Sequence, residues 1–539
     1  MAATSVVRSK RRLALPYLHR LLHSGPATPS PNRFLRHASP VPRDPDHSPF
    51  LRLPDARVST LPTGLRVVTQ AYPAATRMAS VGVWVDAGSR FELPGTNGTA
   101  HFLEHMAFKG TTRRPTANAL EVEIENMGAR LNAYTSREQT TYFADVQGRD
   151  VPIALDVLSD ILQYPCFPAN ALQRERGVIL REMEEVANVF LLHFLVLFSA
   201  IAAKEVHLVW IVSTITLRQV QGMMDEVIFD HLHAAAFQGH PLGDTILGPV
   251  ENIKSISKKD LEQYITTHYT CPRMVVSAAG AVNHDEVVDQ VREFFTGFST
   301  DPTTVDQLVE ANPAIFTGSE VRVEQPEMPL THFAIAFKGS SWANPSSIPL
   351  MVIQSILGTW NRSVGVGNCS GSALARGISN GNLAESMIAF NTNYRDTGLF
   401  GICTIAQPDS LYDLSQLIMQ EFRRLAFEVS ETEVARARNQ LKSALLLHID
   451  GSTAVSENNG RQMLTYGRVM PFLELFARID AVDRDTVMET AKDFIIDKDI
   501  ALAAVGPLTN LPELSWFRSH TYSDDEFSSR TFLQDAQNN

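Results

Sequence analysis

The same series of strand-like and helix-like segments occurs twice along this chain. Segments in which apolar and polar residues alternate are followed in both halves by a segment with helical periodicity. The first series is Leu65–Gln70, Ser80–Val85, Leu131–Arg137 and Val151–Leu162, and the second is Val321–Gln325, Thr331–Lys338, Ile388–Arg395, Gly398–Ala406 and Leu411–Leu425. Such repetition predicts one structural unit built twice. We therefore expect an α+β protein of two similar α/β domains, each a mostly antiparallel sheet packed with helices.

The length of the chain also favours two domains, because 539 residues exceed what a single hydrophobic core supports. We place the N-terminal domain at residues 57–297 and the C-terminal domain at 318–522. A stretch at 298–317 that contains Asp, Thr and Pro forms the predicted linker. Residues 523–539 are polar and form a predicted loose tail.

Residues 1–56 form a leader whose composition differs from that of the rest of the chain. Eight Lys and Arg residues precede Asp44, which is the first acidic residue. Residues 9–22 can form a basic amphipathic helix, and no long apolar run typical of a secretory signal is present. The leader is typical of a mitochondrial transit peptide. A disordered basic tail is the alternative.

Charge and cysteine content restrict the classes of partner. The chain has a formal net charge of −12, and the part after the leader is more acidic still. Such a surface disfavours nucleic acid and suits basic ligands, although an ordinary solvated surface has the same character. The four cysteines, Cys166, Cys271, Cys369 and Cys403, are far apart and form no Cys-x-x-Cys pair. We expect them to be reduced.

The segment His101-Phe-Leu-Glu-His105 carries the most specific chemistry. On a helix, His101 and His105 lie one turn apart on one face, and Glu104 is beside them. Two neutral imidazoles in this arrangement can bind one Zn²⁺, and the carboxylate can take a proton from water. The pattern is the reverse of the His-Glu-x-x-His motif of zinc proteases.

A catalytic zinc ion usually needs a third protein ligand. The helix-like run at 170–186 contains Glu175, Glu182, Glu184 and Glu185. Glu175 and Glu182 share a helix face, so spacing alone does not choose between them, and a solvated acidic face is the alternative. The corresponding helix of the second half, near Leu350–Leu357, has no histidine. One metal ion per chain is therefore expected.

The chain resembles the pitrilysin/insulinase family of zinc peptidases, and within that family the mitochondrial processing peptidases. The resemblance covers roughly residues 57–522. It is carried by six stretches, which are His101–Thr111, Leu131–Tyr142, Glu175–Glu185, Asp225–His233, Pro241–Gly248 and Ala389–Phe400.

The resemblance implies a role for each residue of the metal site. It implies that His101, His105 and Glu182 bind zinc and that Glu104 is the general base. Glu175 would be a supporting acidic residue close to the reaction.

The resemblance also implies how substrate binds. Asn132, Ala133 and Tyr134 would pair with an extended peptide through a strand edge. Glu226 and Asp230 would receive an arginine near the scissile bond. Tyr394 and Arg395 would reach over the substrate from the second domain.

The function implied is that of a zinc endopeptidase subunit that removes transit peptides from imported mitochondrial precursors. Its partners would be an α subunit in a heterodimer and basic presequence peptides, and it would be located in the matrix or on the matrix face of the inner membrane. The bc1 complex at that membrane is a further expected partner. The alternatives are a structural core subunit of that complex, either instead of or together with the protease, and a general oligopeptide-degrading enzyme. The metal residues favour an active protease.

Residues 187–220 depart from the family pattern, because they separate Glu182 from Glu226 far more widely than in relatives. The insert contains an apolar run that is interrupted by Lys204 and Glu205. Three interpretations are open: a transmembrane helix, a buried helical hairpin, or a retained intron translated in frame. We favour the retained intron, and an inactive splice variant is then a further alternative to the active protease.

Overall fold

The structure is a computed structural model that describes residues 54–72, 77–184, 224–364 and 370–522. The predicted leader (apart from its last residues), the insert at 187–220 and the tail at 523–539 lie outside these ranges. Within the described ranges, every helix is too short or too polar to span a bilayer.

The first half contains a six-stranded mixed sheet. Its strands are β1 (Arg57–Thr60), β2 (Arg66–Ala71), β3 (Met78–Val85), β4 (Arg130–Thr135), β5 (Thr140–Gln147) and β6 (Met274–Gly280). Their spatial order is β1-β2-β6-β3-β5-β4, and only the β2–β6 pair is parallel. Because β4 is the last strand in this order, its outer edge is unpaired among the described strands.

The second half contains a sheet with the same arrangement. Its strands are β7 (Glu320–Glu324), β8 (Thr331–Lys338), β9 (Thr359–Asn361), β10 (Ser386–Asn393), β11 (Gly398–Ala406) and β12 (Ala501–Gly506). The order is β7-β12-β8-β11-β10-β9, again with one parallel pair, β7–β12. The run β7-β12-β8-β11-β10 matches β2-β6-β3-β5-β4 strand for strand. The predicted fold class, with two related α/β halves, is therefore confirmed.

Helices cover both sheets. In the first half they are α1 (Thr99–Ala107), α2 (Ala117–Met127), α3 (Val151–Gln163), α4 (169–184), α5 (224–236), α6 (Val250–Ser255), α7 (Lys258–His268) and α8 (His284–Phe294). Then follow α9 (Val305–Ala311), α10 (Ser347–Leu357), α11 (Ala373–Gly381), α12 (Leu411–Phe427), α13 (Glu431–Leu447), α14 (Ser452–Tyr466), α15 (Phe472–Asp480), α16 (Arg484–Phe494) and α17 (Leu514–Ser519).

Each half also covers one face of the other half's sheet. Helix α14, from the second half, packs on strands β2, β3 and β6, where Ser277 Oγ donates to the Ser456 carbonyl at 2.7 Å. Helix α5, from the first half, packs on the second sheet through Ile228 and Leu232. The sheets are therefore buried on both faces, and the central strands β3, β8 and β11 are buried along nearly their whole length instead of on one face only.

Ion pairs join the halves beside these helices. Arg90 makes two bonds to Asp396, at 2.7 and 2.8 Å, and Arg395 bonds to Asp86 at 3.0 Å. Arg395 also pairs with Asp306 at 2.8 Å. Asp306 belongs to α9, a helix within the stretch predicted as a linker, so this connection is itself structured and takes part in the interface.

Candidate metal centre

Helix α1 carries both histidines of the sequence motif. It begins after Gly98, whose φ of 100° is in the left-handed region that favours glycine. An added Cβ there would lie 2.7 Å from the Leu247 carbonyl oxygen. The imidazole rings of His101 and His105 are 4.7 Å apart between centroids, on one face of the helix as predicted.

Helix α4 brings a carboxylate to these two rings. Glu182 Oε2 lies 3.9 Å from His101 Nε2 and 3.6 Å from His105 Nε2. One potential ligand atom from each of the three residues falls within a 4.8 Å cluster. Spacing had left Glu175 and Glu182 as alternatives, and Glu182 is the one that faces both rings.

The three side chains fit a tetrahedral metal ion. Ligand atoms about 2.0–2.1 Å from a tetrahedral metal are separated by about 3.4 Å, close to the two measured distances. Glu182 Oε2 is buried and has no hydrogen-bond partner within the described residues, and neither has His101 Nδ1. A buried carboxylate oxygen aimed at two imidazole nitrogens is costly without a cation to neutralise it.

The electrostatics of the cluster favour the ligand forms of two of these residues. Burial and the neighbouring His105 lower the pKa of His101 to about 4, so its ring is neutral at neutral pH. Interaction with His105, opposed by burial, lowers the pKa of Glu182, so it is ionised. For His105, burial alone would lower the pKa, but Glu182 and Glu175 raise it overall. A bound cation would displace that proton.

Glu175 lies behind His105, on the side away from Glu182. Its Oε2 is 3.3 Å from His105 Nδ1, and its Oε1 is 2.9 Å from Lys109 Nζ. A hydrogen bond from Nδ1–H to this carboxylate would fix the tautomer and leave Nε2 free to bind a metal. Lys109 was not among the sequence candidates, although it lies two residues after the end of the helix that carries the motif.

Glu104 is held at the end of the edge strand. Its Oε2 accepts a 2.6 Å hydrogen bond from Thr135 Oγ1. Burial raises its pKa despite this bond, and the charge of Glu182 raises it further. A carboxylate with a raised pKa is suited to accept and return a proton near neutral pH. Thr135 was not predicted individually, but it lies in the motif stretch that begins at Leu131.

The three predicted peptide-binding residues lie on the exposed edge strand β4. They pair on one side only, with β5, in the registers Asn132–Phe143, Ala133–Tyr142 and Tyr134–Thr141. The Tyr134 hydroxyl donates to Glu457 Oε1 of α14 at 3.2 Å, so the second half reaches this strand. An extended peptide could add to the free edge.

Glu226 and Asp230 lie one turn apart on α5, but they differ in their surroundings. Asp230 accepts hydrogen bonds from Arg137 at 2.7 Å and from Thr245 at 2.8 Å. Glu226 is exposed, and burial together with the charges of Asp230 and Glu182 raises its pKa. Of these two carboxylates, Glu226 is therefore the more accessible one.

Tyr394 and Arg395 bond within the interface between the halves. The Tyr394 hydroxyl is 2.6 Å from His233 Nε2, and its ring is buried. Arg395 bonds to Asp86 and to backbone carbonyls of α14. Their predicted contact with substrate stays a prediction, and the structure gives both side chains a role in holding the halves together.

Two family models match the chain. Insulinase (Peptidase family M16) matches residues 66–207, and Peptidase M16 inactive domain matches residues 255–441. His101, His105 and Glu182 all lie in the range matched by the first model. Most of the range matched by the second model lies in the half that lacks the motif.

Curated relatives match over most of their length. A protein from Arabidopsis thaliana named "Probable mitochondrial-processing peptidase subunit beta, mitochondrial" is 54% identical over 91% of this chain and 86% of its own. The mitochondrial-processing peptidase subunit beta of Homo sapiens is 46% identical over 87% and 88%, respectively. That of Lentinula edodes is 44% identical over 86% and 93%.

Solved structures share the fold. A chain of complex III2 from Candida albicans matches with a TM-score of 0.69 and 23% identity, over 87% of this chain and all of that one. A protease from Helicobacter pylori also has a TM-score of 0.69, with 18% identity, over 84% of this chain and all of that one.

Proposed function

The chain belongs to the M16 (insulinase) family of peptidases, and we propose that it is the zinc-binding β subunit of a mitochondrial processing peptidase. In this role it would cleave transit peptides from imported precursor proteins. The observation that carries the proposal is the cluster of His101, His105 and Glu182 beside the half-buried carboxylate of Glu104, in a chain 54% identical to a relative of that name.

Zinc is the metal that this donor set suits best. Two neutral imidazole nitrogens and one carboxylate oxygen, with a fourth position open, form the usual ligand set of catalytic zinc in peptidases. Glu175 supplies the partner for the second nitrogen of His105 that such ligands usually have. We therefore assign the three metal-binding roles to these residues.

The protein's own groups account for the proton transfers. A bound zinc ion would polarise the scissile carbonyl and acidify a water molecule. Glu104 accepts the proton of the attacking water and then delivers it to the nitrogen of the leaving amine. Thr135 orients the carboxylate for both transfers, and because Thr135 belongs to β4, the base keeps a fixed position relative to a peptide paired with that strand.

A basic, extended peptide suits the surface next to the metal residues. Pairing with β4 would bind the backbone without regard to sequence, and Glu226 would select an arginine side chain. Asp230, which Arg137 already neutralises in part, would contribute less. The net charge of −12 attracts cationic peptides over longer distances.

We assign the α-subunit partner and the mitochondrial location on the names of the relatives, each a β subunit of a mitochondrial-processing peptidase. The basic leader supports the same compartment. A core subunit of complex III is the other role expected from the sequence. The match to a complex III chain, at 23% identity, concerns the fold alone and gives that role no further support.

The proposal is tested with the chain co-expressed with an α subunit and a fluorescent presequence peptide. Glu104→Gln should retain zinc and lose cleavage by a factor of about 100 or more, because the base is removed while the ligands remain. Glu121→Gln, which changes an exposed carboxylate on the next helix, should cleave as the wild type does. Normal turnover by Glu104→Gln would refute the assignment, and the assay is repeated without residues 187–220 to separate any effect of the insert.

A further inference from the structure

A buried carboxylate outside the sequence motif holds the start of the metal-binding helix. Glu92 lies in the loop before α1 and is 6% exposed. Its Oε1 accepts a 2.6 Å hydrogen bond from the Ala100 amide, and its Oε2 accepts bonds from the Gly98 amide at 2.8 Å and the Asn97 side chain at 2.7 Å.

These bonds replace the cap that the helix otherwise lacks. The N-cap residue is Gly98, which has no side chain to accept hydrogen bonds from the first turn. Free amides at a helix start must find acceptors, and negative charge is favoured there. A glycine is needed at this position because of its positive φ and the close Leu247 carbonyl, so the capping oxygen must come from another residue.

The loop that carries Glu92 is anchored to two other parts of the molecule. The backbone amide of Arg90 bonds to the Arg137 carbonyl at 2.8 Å, just after the edge strand. The Arg90 side chain bonds to Asp396 of the second half. The position of Glu92 is therefore fixed by the edge strand and by the half that lacks metal residues.

We propose that Glu92 is a positioning residue for the metal centre, setting the first turn of α1 so that His101 meets His105 and Glu182 at metal-binding distance. Its contact with Ala100 is one residue before His101. Metal sites tolerate displacements of only about 0.2 Å in ligand distance, so a small movement of this turn weakens binding. This inference rests on the metal-binding role given to the cluster in the proposed function.

Glutamine is the informative substitution at this position. All three partners of Glu92 are N–H donors, so Glu92→Gln keeps the size of the side chain but turns one acceptor oxygen into a donor that faces another donor. A suitable control is Glu433, which is also 6% exposed and caps α13 in the half without metal residues, through bonds from the Ser430 amide and hydroxyl. Glu433→Gln removes a buried capping charge, which also pairs with Arg424, in the half without metal residues.

The experiment measures zinc affinity by competition with a chelating dye, together with hydrogen exchange of the peptide that covers α1 in metal-free protein. Glu92→Gln should weaken zinc binding by about tenfold to 100-fold and speed exchange at the start of α1. Glu433→Gln should lower the melting temperature without changing zinc affinity. If Glu92→Gln does not fold, Glu92→Asp is measured with the same expectation in a milder form.

The outcomes separate this inference from the proposed function. Wild-type zinc affinity in Glu92→Gln, or equal loss in both variants, would overturn the positioning role while leaving the proposed function intact. A wild-type chain that binds no zinc would instead defeat the proposed function. The exchange measurement would then still report whether Glu92 holds the helix start.

Discussion

Gly460 gives a direct test of how the two halves fit together. It lies on α14, where an added Cβ would come within 2.3 Å of Trp84 Cδ2 in the first sheet. Ordinary contacts begin near 3.4 Å, so Gly460→Ala requires a movement of about 1 Å. The indole cannot retreat freely, because it is fully buried and packs so closely on Gly82 that even a Cβ there would lie 2.8 Å from its Cζ3 and Cη2 atoms.

The expected cost follows from this geometry. Overpacking of this kind destabilises by about 1–3 kcal/mol, and the melting temperature should fall by several degrees. A displacement of about 1 Å between the halves should lower presequence cleavage by up to about 100-fold, since α14 reaches the edge strand through Glu457. Zinc affinity should change much less than cleavage, because all three proposed ligands belong to the first half and the second half acts on them only indirectly, through Arg90 and the loop of Glu92.

Two further variants make the test specific. Gly177→Ala also replaces a helical glycine, but its Cβ meets nothing closer than 3.9 Å, so it should be neutral or slightly stabilising. Adding Trp84→Phe to Gly460→Ala provides space and should recover part of the lost activity. The reasoning is refuted if Gly460→Ala alone has wild-type melting temperature and cleavage.

Three further predictions concern other parts of the molecule. Burial lowers the pKa of His332 to about 4, so as pH drops from 6.5 towards 4 the unfolded chain binds a proton before the folded chain does, and stability should fall. His332→Phe should remove up to about 3 kcal/mol of that loss, measured as melting temperature against pH. An unchanged slope in this variant would contradict the prediction. Glu175→Gln should weaken zinc binding by about tenfold to 100-fold in a dye competition, whereas equal affinity would show that Glu175 does not support His105. Mass spectrometry of the chain from its native source should find no peptide from residues 187–220, and finding one would refute the retained-intron hypothesis.

Much of the fold could be predicted because local periodicity is strong in this chain. The strands at Thr331–Lys338 and Gly398–Ala406 have the bounds expected from sequence, and the helices at Val151 and Leu411 begin where predicted. Periodicity identifies which residues are buried, but not what they pack against. The exchange of α5 and α14 between the halves was therefore not foreseen, since it depends on contacts such as Trp84 with Gly460, far apart in sequence.

The site was predictable where its residues share one element, and less so where they do not. His101, Glu104 and His105 are fixed relative to one another by helical geometry alone. Glu175 and Glu182 occupy one face of α4, and only the tertiary position of that helix distinguishes the residue facing both rings from the one behind His105. The capping role of Glu92 had no sequence signal, because it replaces a side chain that Gly98 does not have.

The helix within the predicted linker did have a sequence signal. Thr304 and Gln307 form a capping box at the start of α9, with the spacing that is diagnostic of a helix N-terminus. The Asp, Thr and Pro content of the stretch favoured a loop, and the short helix is stabilised by its cap and by the pairing of Asp306 with Arg395.

The measurement that tests the central claim most directly is zinc content alongside cleavage, in the wild-type chain with an α subunit and in Glu182→Ala. We predict one zinc ion per wild-type chain, with loss of both zinc and presequence cleavage in Glu182→Ala and on treatment with a chelator. Adding zinc back should restore cleavage by the wild-type chain but not by Glu182→Ala. Cleavage that persists without zinc, or full zinc content in Glu182→Ala, would contradict the assignment of His101, His105 and Glu182 as the metal centre.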